Sequence, residues 1–216
     1  MLKTKEEIFS LRKTFTSRTT VKKSILFNEA QFDKITMTEY KLMLKSLHQQ
    51  DFYVYNYLFD LKASLNSASF YSVIKALFLT MGKRKVIVNG EKINLYDKLD
   101  YDKGHCSIRL NPILLKPPFF HLPISRCFDL KYVSSIRLYE LLYQYMKFGK
   151  RELSILDFQE KCGIVDSQNR TFVNRYMYKA IEDINANTNI EITDFERIKY
   201  KAHLIGLGYK FKKTKV

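Results

Sequence analysis

The sequence has few of the residues that build metal sites and disulfides. Its three cysteines, Cys106, Cys127 and Cys162, lie far apart, and its four histidines include no His-x-His pair. Zinc sites and disulfide frameworks need pairs of such residues at short, regular spacings. We therefore predict buried, reduced thiols, no metal ion and no other cofactor.

Sequence patterns of catalysis and of membrane insertion are missing too. No Gly-Lys-Ser/Thr phosphate-binding loop is present, which argues against an ATP-driven helicase. A rolling-circle nicking enzyme would need a metal site beside its tyrosine nucleophile. No run approaches the length of about 18 apolar residues that a membrane helix requires, and residues 1–7 lack the apolar segment of a secretion signal. We expect a cytoplasmic protein that is not an enzyme.

Positive charge is what the sequence has in excess. The 37 lysines and arginines outnumber the 22 acidic residues, for a net charge of +15 and an isoelectric point near 9.6. Such an excess indicates a polyanionic partner, either nucleic acid or an anionic membrane surface. A ribosome-associated protein or a merely basic soluble protein is the alternative.

The prolines suggest where the chain divides. All four lie in one short stretch, at positions 112, 117, 118 and 123. Proline lacks an amide donor and restricts the residue before it, so it interrupts regular structure. We predict a junction near residues 117–125, with an N-terminal domain over 1–122 and a C-terminal domain over 123–216.

Capping and turn signals predict the elements of the first half. A basic arm over 3–23 precedes the capping box Thr36-Met37-Thr38-Glu39, which opens a helix. The dipeptide Asn89-Gly90 predicts a type I′ hairpin over 85–94. The other predicted elements are a strand over 52–58, a short helix over 59–65, a helix from Ser67 to a stop at Gly82, a strand over 106–110 and a short helix capped by Asn111.

The second half repeats the same order of elements. Its predicted elements are a helix over 133–147, a strand over 151–153, a short helix opened by Ser154, a longer helix over 169–185 and strands over 190–198 and 203–211. A helix-turn-helix followed by a hairpin is the winged-helix plan. The predicted fold class is therefore α+β with two tandem winged-helix domains, and two unrelated small α+β domains are the alternative.

Three segments of the second half resemble a known family. They are Ser135-Ile136-Arg137-Leu138-Tyr139-Glu140-Leu141-Leu142, the stretch from Glu152-Leu153-Ser154 to Gly163-Ile164, and the helix from Phe172 to Asn185. In this order they resemble the second domain of the iteron-type plasmid replication initiators. The resemblance covers residues 131–211 well, whereas residues 20–116 agree only in the order of their elements.

The resemblance implies a function. Proteins of this family bind direct repeats of double-stranded DNA, called iterons, at a replication origin. Monomers initiate replication, dimers joined through the first domain repress their own promoter, and the host replication initiator and replicative helicase are recruited. The resemblance also implies that the second domain is the main DNA reader. A winged-helix transcriptional repressor without a replication role is the alternative, followed by a nicking endonuclease and a membrane-surface protein.

The helix over 169–185 would be the recognition helix of the second domain. Its predicted apolar face comprises Phe172, Tyr176, Met177, Ala180, Ile181 and Ile184. Arginine can bind guanine through two hydrogen bonds and asparagine can bind adenine in the same way. The predicted DNA-facing residues are Arg170, Thr171, Asn174, Arg175, Tyr178 and Lys179, of which Arg170, Asn174 and Arg175 would reach base edges.

Other basic residues are candidates for phosphate contacts. Lys199, Lys201 and His203 would lie at the tip of the terminal hairpin. The tail lysines Lys210, Lys212, Lys213 and Lys215, and in the first half Lys75 and the cluster Lys83-Arg84-Lys85, can equally be ordinary solvated residues. For Arg137, an ion pair with Glu140 or another acid is as plausible as a DNA contact.

Overall fold

The computed structural model describes residues 19–32, 35–53, 67–102, 105–164 and 169–214. The first half contains β1 (Thr20–Ser24), α1 (Ile25–Glu29), β2 (Gln31–Phe32), α2 (Met37–His48), β3 (Asp51–Tyr53), α3 (Ser67–Met81), β4 (Lys85–Val88), β5 (Glu91–Asn94), β6 (Tyr96–Asp102), β7 (His105–Leu110), a 3₁₀ turn (Pro112–Leu115) and β8 (Phe119–Pro123). The second half contains α4 (Ile124–Asp129), α5 (Val133–Gln144), β9 (Lys150–Ser154), α6 (Ile155–Lys161), β10 (Ile190–Tyr200) and β11 (His203–Lys213). Between α6 and β10 lies α7, which is built from the three consecutive segments Asn169–Phe172, Val173–Met177 and Tyr178–Asn187.

The capping signals are confirmed. The Thr36 side chain accepts a hydrogen bond from the backbone N–H of Glu39 at 3.2 Å and opens α2. Ser154 does the same for Asp157 at 3.5 Å and opens α6. Asn111 caps the 3₁₀ turn through the N–H of Ile113. These side chains satisfy backbone donors that have no partner inside the helix.

The hairpin at Asn89-Gly90 is also confirmed. Both turn residues have positive φ, 52° for Asn89 and 83° for Gly90, as a type I′ turn requires. The hairpin joins β4 to β5, and β4 also pairs with β2. The prediction was wrong in treating this hairpin as the wing of the first half, because a second hairpin follows it.

That second hairpin is formed by β6 and β7. The sequence analysis did not predict β6. In this half the strand order is β3-β7-β6, and in the second half it is β9-β11-β10. In both sheets the strand that comes last in the chain lies in the centre, with the other two strands on either side of it. The β4–β5 hairpin is therefore an addition between α3 and the wing. β6 escaped prediction because its sequence, Tyr-Asp-Lys-Leu-Asp-Tyr-Asp, is rich in residues that strands usually avoid.

The predictions for α3 and for residues 52–65 agree with the structure only in part. The helical spacing of the apolar residues between Phe70 and Met81 predicts Val73 on the buried face of α3, together with Phe70 and Ile74. Phe70, Ile74 and Met81 are fully buried, but the Val73 side chain is exposed. The predicted strand over 52–58 is observed only as β3, and the rest of it lies outside the described residues. The predicted helix over 59–65 lies outside them as well.

The two halves are in contact along the chain's hydrophobic core. Buried apolar residues of both halves form one continuous cluster. Within the first half β1 pairs antiparallel with β8, the strand that leads into the second half. Lys23, which the sequence placed in a basic arm, is fully buried in β1. Residues 1–18 of that arm lie outside the described part. The boundary between domains 1–122 and 123–216 stays a prediction, although β8 ends at Pro123 and α4 begins at Ile124.

A buried cluster of charges lies where the halves meet. The Glu140 carboxylate on α5 is 2.6 Å from the Lys23 ammonium and 2.8 Å from the Arg137 guanidinium, and all three side chains are fully buried. Tyr40 on α2 donates its hydroxyl hydrogen to Glu140 at 2.6 Å. Arg137 also donates to the backbone oxygens of Asn28, Ala30 and Lys161. The role left open for Arg137 is thereby settled as structural.

Candidate nucleic-acid interface

Helix α7 contains a widened turn near its middle. Residues Val173–Met177 form a π-helical segment, in which the N–H of Tyr178 bonds to the carbonyl of Val173, five residues back. Such turns are rare and are found mostly at functional sites. The extra residue rotates the following part of the helix by about 100° relative to a regular α-helix.

This rotation changes which residues face the core. The buried face of the described side chains is Phe172, Val173, Met177, Ala180, Asp183 and Ile184. The predicted residues Tyr176 and Ile181 pack against the core but are only half-buried, and the prediction missed Val173 and Asp183. Asp183 is buried because its carboxylate accepts hydrogen bonds from the backbone of Lys131 and from the Asn187 amide. A sequence periodicity of 3.6 residues cannot show a π turn.

The opposite face of α7 is polar and exposed. Thr171, Asn174, Arg175, Tyr178 and Lys179 all present their side chains to solvent. Arg170 lies in the first turn of the helix, but its side chain lies outside the described residues. The set predicted to meet DNA is therefore gathered on one face wherever the structure describes it, and contact with DNA stays a prediction.

The terminal hairpin places a second basic group beside this helix. β10 and β11 pair along almost their whole length and turn at Lys201, whose φ is 53°, with Tyr200 opposite His203. Lys199, Lys201 and His203 are exposed at this tip, where the sequence placed them. These three side chains therefore form an exposed basic group at the tip, and their contact with phosphates stays a prediction.

Arg197, which was not among the residues predicted from the sequence, joins the wing to α7. Its Nη2 donates to the Asn174 Oδ1 at 3.2 Å and to the Tyr178 hydroxyl at 2.9 Å. The guanidinium also lies 5.8 Å from the centre of the Tyr178 ring, within the range of a cation–π contact. Two of the predicted DNA-facing residues are thus already held by a third. Nothing in the sequence shows this, because it depends on how β10 packs against α7.

Aromatic packing supports the same junction from below. The Phe195 ring meets the Tyr178 ring edge-on at 5.6 Å and the Tyr209 ring at 5.4 Å. The Tyr209 hydroxyl donates to the Met177 sulfur at 3.4 Å. Gly208 lies opposite Glu196, so close that a Cβ at Gly208 would come within 2.7 Å of the Glu196 side chain. The row of rings fixes the distance between helix and wing.

Two of the four tail lysines are paired with acids of the wing. Lys210 lies 2.9 Å from Asp194 and Lys212 lies 3.1 Å from Glu191. The hydrogen bond from Lys210, together with its charge, lowers the pKa of Asp194. Lys213 is exposed, and Lys215 lies outside the described residues. Lys210 and Lys212 are therefore weaker candidates for phosphate contacts than the lysines at the tip.

The basic cluster of the first half divides in the same way. Lys75, Lys83 and Lys85 are exposed, whereas Arg84 pairs with the buried carboxylate of Glu39 at 2.8 Å. Burial raises the pKa of Glu39, and Arg84 opposes that shift. Arg84 is thus a structural residue that ties the start of β4 to α2.

The cysteines lie in the core, as predicted. Cys106, Cys127 and Cys162 are buried and not disulfide-bonded, and burial raises the pKa of the Cys162 thiol to about 12. Across the described ranges, His, Cys, Asp and Glu side chains form no group that could hold a metal ion. None of the helices described is long and apolar enough to cross a membrane.

Comparison of the sequence with known protein families and with curated proteins gives no match. The fold does match solved structures, among them the crystal structure of the Pi initiator protein in complex with iteron DNA. The TM-score is 0.67 at 15% sequence identity, and the match covers 93% of this chain and 100% of that one. Since identity is this low, the likeness concerns the fold. The chain therefore has the α+β fold of an iteron-binding initiator protein, as the resemblance in its sequence predicted.

Proposed function

We propose that this protein binds double-stranded DNA sequence-specifically and initiates plasmid replication at direct repeats. The observation that carries the proposal is the exposed polar face of α7 beside a basic wing tip, on a fold shared with an initiator bound to iteron DNA. The net charge of +15 supplies the general attraction to a polyanion.

The contacts divide into two kinds by position. α7 would enter the major groove, where Arg170, Asn174 and Arg175 meet base edges and Thr171, Tyr178 and Lys179 lie near the groove wall. Lys199, Lys201 and His203 on the wing tip would bind backbone phosphates. Phosphate contacts fix the register of the protein, and base contacts select the sequence. The first half would act as the dimerisation domain and supply accessory phosphate contacts.

Further parts of the proposal follow from the resemblance alone. A dimer would repress the promoter of its own gene, and the bound monomer would recruit the host replication initiator and replicative helicase. The protein would act in the cytoplasm and catalyse no reaction. Because the sequence contains no ATP-binding loop, opening of the duplex would draw on binding and bending energy, on the order of a few kcal/mol per site.

A footprint of the purified protein on the DNA that flanks its own gene tests the proposal. We expect protection of several evenly spaced direct repeats. The double variant Asn174→Ala/Arg175→Ala changes only exposed side chains of α7 and should abolish the footprint. An unchanged thermal unfolding temperature of this variant shows that it is folded. A single protected palindrome would instead favour the transcriptional repressor, and nicking of supercoiled DNA with a divalent metal would favour the endonuclease.

A further inference from the structure

Arg197 is the one side chain of the wing strand β10 that hydrogen-bonds to the exposed face of α7 in the described structure. Both hydrogens of its Nη2 are used, one toward the Asn174 amide oxygen and one toward the Tyr178 hydroxyl oxygen. Within the described residues it forms no ion pair with an acid. A fully charged group is therefore held by two neutral acceptors on the surface proposed to meet DNA.

This arrangement fixes the polarity of both partners. A guanidinium has only donors, so the atom of Asn174 that faces it must be the oxygen, and the amide nitrogen must point away. Tyr178 accepts a hydrogen bond from Arg197, so its own hydroxyl hydrogen is directed elsewhere. Arg197 thus turns two side chains that can donate or accept into a pair that presents donors outward.

The polarity matters for base recognition. An asparagine selects adenine when its oxygen accepts from N6 and its nitrogen donates to N7 at the same time. The nitrogen alone can donate to N7 of either purine, since guanine and adenine share that acceptor. The amide oxygen has a second lone pair, but the Asn174 oxygen is directed at Arg197, so it is not placed to face the same base as the amide nitrogen. In this orientation Asn174 lacks the contact that separates the two purines.

We propose that Arg197 is a positioning residue that sets the base preference of Asn174, so that Asn174 reads a purine and not adenine in particular. The proposal rests on the proposed function, since it requires that α7 reads DNA. It replaces the adenine contact expected of Asn174 from its residue type alone.

The surroundings hold Arg197 in place for this role. The Tyr178 ring lies beneath its guanidinium, and the Phe195 ring supports Tyr178 from the same strand. Arg197 is paired in the sheet with Leu207, which is fully buried and anchors this part of the wing to the core. Although Arg197 is exposed, its guanidinium is therefore held by two hydrogen bonds and a ring contact in the protein without DNA.

The experiment uses the full chain and duplexes that carry each base pair in turn at every position of the footprinted site. Asn174→Ala identifies the base pair that Asn174 reads. At that pair the wild type should bind adenine and guanine with affinities within about threefold, while Arg197→Met should favour adenine by at least about fivefold, the lower range for a two-bond contact. The double variant Asn174→Ala/Arg197→Met should show no such preference.

Lys199→Met is the matched control, since it removes a positive charge from the same strand without touching Asn174. It should weaken binding to all duplexes about equally. The proposal is overturned if Arg197→Met behaves like Lys199→Met, or if the wild type already favours adenine by about fivefold or more. A wild type that binds all duplexes alike would overturn the proposed function itself, which is a different result. Unchanged thermal unfolding of Arg197→Met shows that the variant is folded.

Discussion

A single carboxylate, that of Glu140, holds two cations that come from different halves of the chain. Lys23 reaches it from β1 and Arg137 from α5, and Tyr40 completes the set. A buried carboxylate of this kind is strongly destabilising if it loses its partners, because the charge cannot return to water. Ion pairs as well as apolar contacts therefore hold the first half against the second.

Lys23 gives this cluster a measurable pH dependence. Burial lowers its pKa to about 8, even though Glu140 opposes the shift. Between about pH 8 and pH 10.5 the unfolded chain keeps a proton that the folded chain has lost, so the free energy of unfolding rises with pH. Relative to Lys23→Met, the wild type should gain roughly 3 kcal/mol across this window.

Urea unfolding at several pH values measures this gain. The neighbouring Lys22→Met is the control, because Lys22 is exposed on the same strand and its variant should follow the wild-type pH profile. Parallel profiles for the wild type and Lys23→Met would contradict the prediction.

At this scale, exposure was easier to predict than contact. The polar pattern of the 169–185 helix correctly predicted that Asn174, Tyr178 and Lys179 face outward. It could not predict that Arg197 would reach across from β10, because that contact depends on strand register. Lys23 was wrongly predicted to belong to a basic arm because of its charge. Its burial is explained by its ion pair with Glu140, which is distant in the sequence.

Among the elements, α7 and the wing form one structural unit. The row of rings from Tyr178 through Phe195 to Tyr209 links the helix to both strands of the hairpin. The π segment Val173–Met177 places the first turns of the helix at a different angle from the rest. The exposed polar face of α7 and the basic tip of the wing are consequently held at a fixed separation.

The turn between α5 and β9 depends on Gly149. Its φ is +65°, in the left-handed region that favours glycine, and a Cβ there would lie 3.2 Å from the Phe211 carbonyl oxygen. Its own carbonyl accepts a hydrogen bond from the Phe211 N–H. Gly149→Ala should therefore lower the free energy of unfolding by about 1 kcal/mol or more.

Gly82→Ala is the matched control for this prediction. Gly82 ends α3 without a positive φ, and a Cβ there would meet nothing closer than 3.6 Å. Its variant should unfold at a urea concentration equal to or above that of the wild type. Equal effects of the two substitutions would show that the left-handed backbone at Gly149 is not what matters.

Elements with a local signal were predicted well, and those without one were not. Thr36, Ser154 and Asn89-Gly90 each act through hydrogen bonds or φ values within four residues, so the sequence displays them directly. β6 has no such signal, because its stability comes from pairing with β7 and not from its own residues. The π turn within α7 is likewise invisible in a periodicity.

For the molecule as a whole, the distribution of positive charge decides how it should respond to salt. Each phosphate that a protein neutralises makes log affinity fall by about 0.9 per unit of log salt concentration. Lys199→Met/Lys201→Met should therefore reduce the slope for DNA binding by about 2, with similar losses on all sequences.

The comparison variant is Lys210→Met/Lys212→Met, which removes the same charge from lysines that pair with Asp194 and Glu191. Its slope should change less, since those ammonium groups already have partners. Fluorescence titrations across a range of salt concentrations give both slopes. Equal changes would mean that the wing tip is not the phosphate-binding part of the hairpin.

The repeated plan of the two halves could be predicted from the sequence, but their joining could not. In the sheets β3-β7-β6 and β9-β11-β10, the strand that comes last in the chain lies between the other two. The contacts between the two halves include side chains of β1, α1, α2 and α5, and their partners lie about a hundred residues apart in the chain, as with Tyr40 on α2 and Glu140 on α5. Sequence patterns within one element carry no information about such distant pairs.

The shared charge cluster has a consequence for how chains of this kind can be rearranged. A hybrid that takes β1 from one protein and α5 from another would leave Glu140 or its counterpart without matching cations unless both sides were exchanged together. The natural unit of recombination is then the whole of residues 20–213, and the two similar halves cannot be shuffled as independent modules.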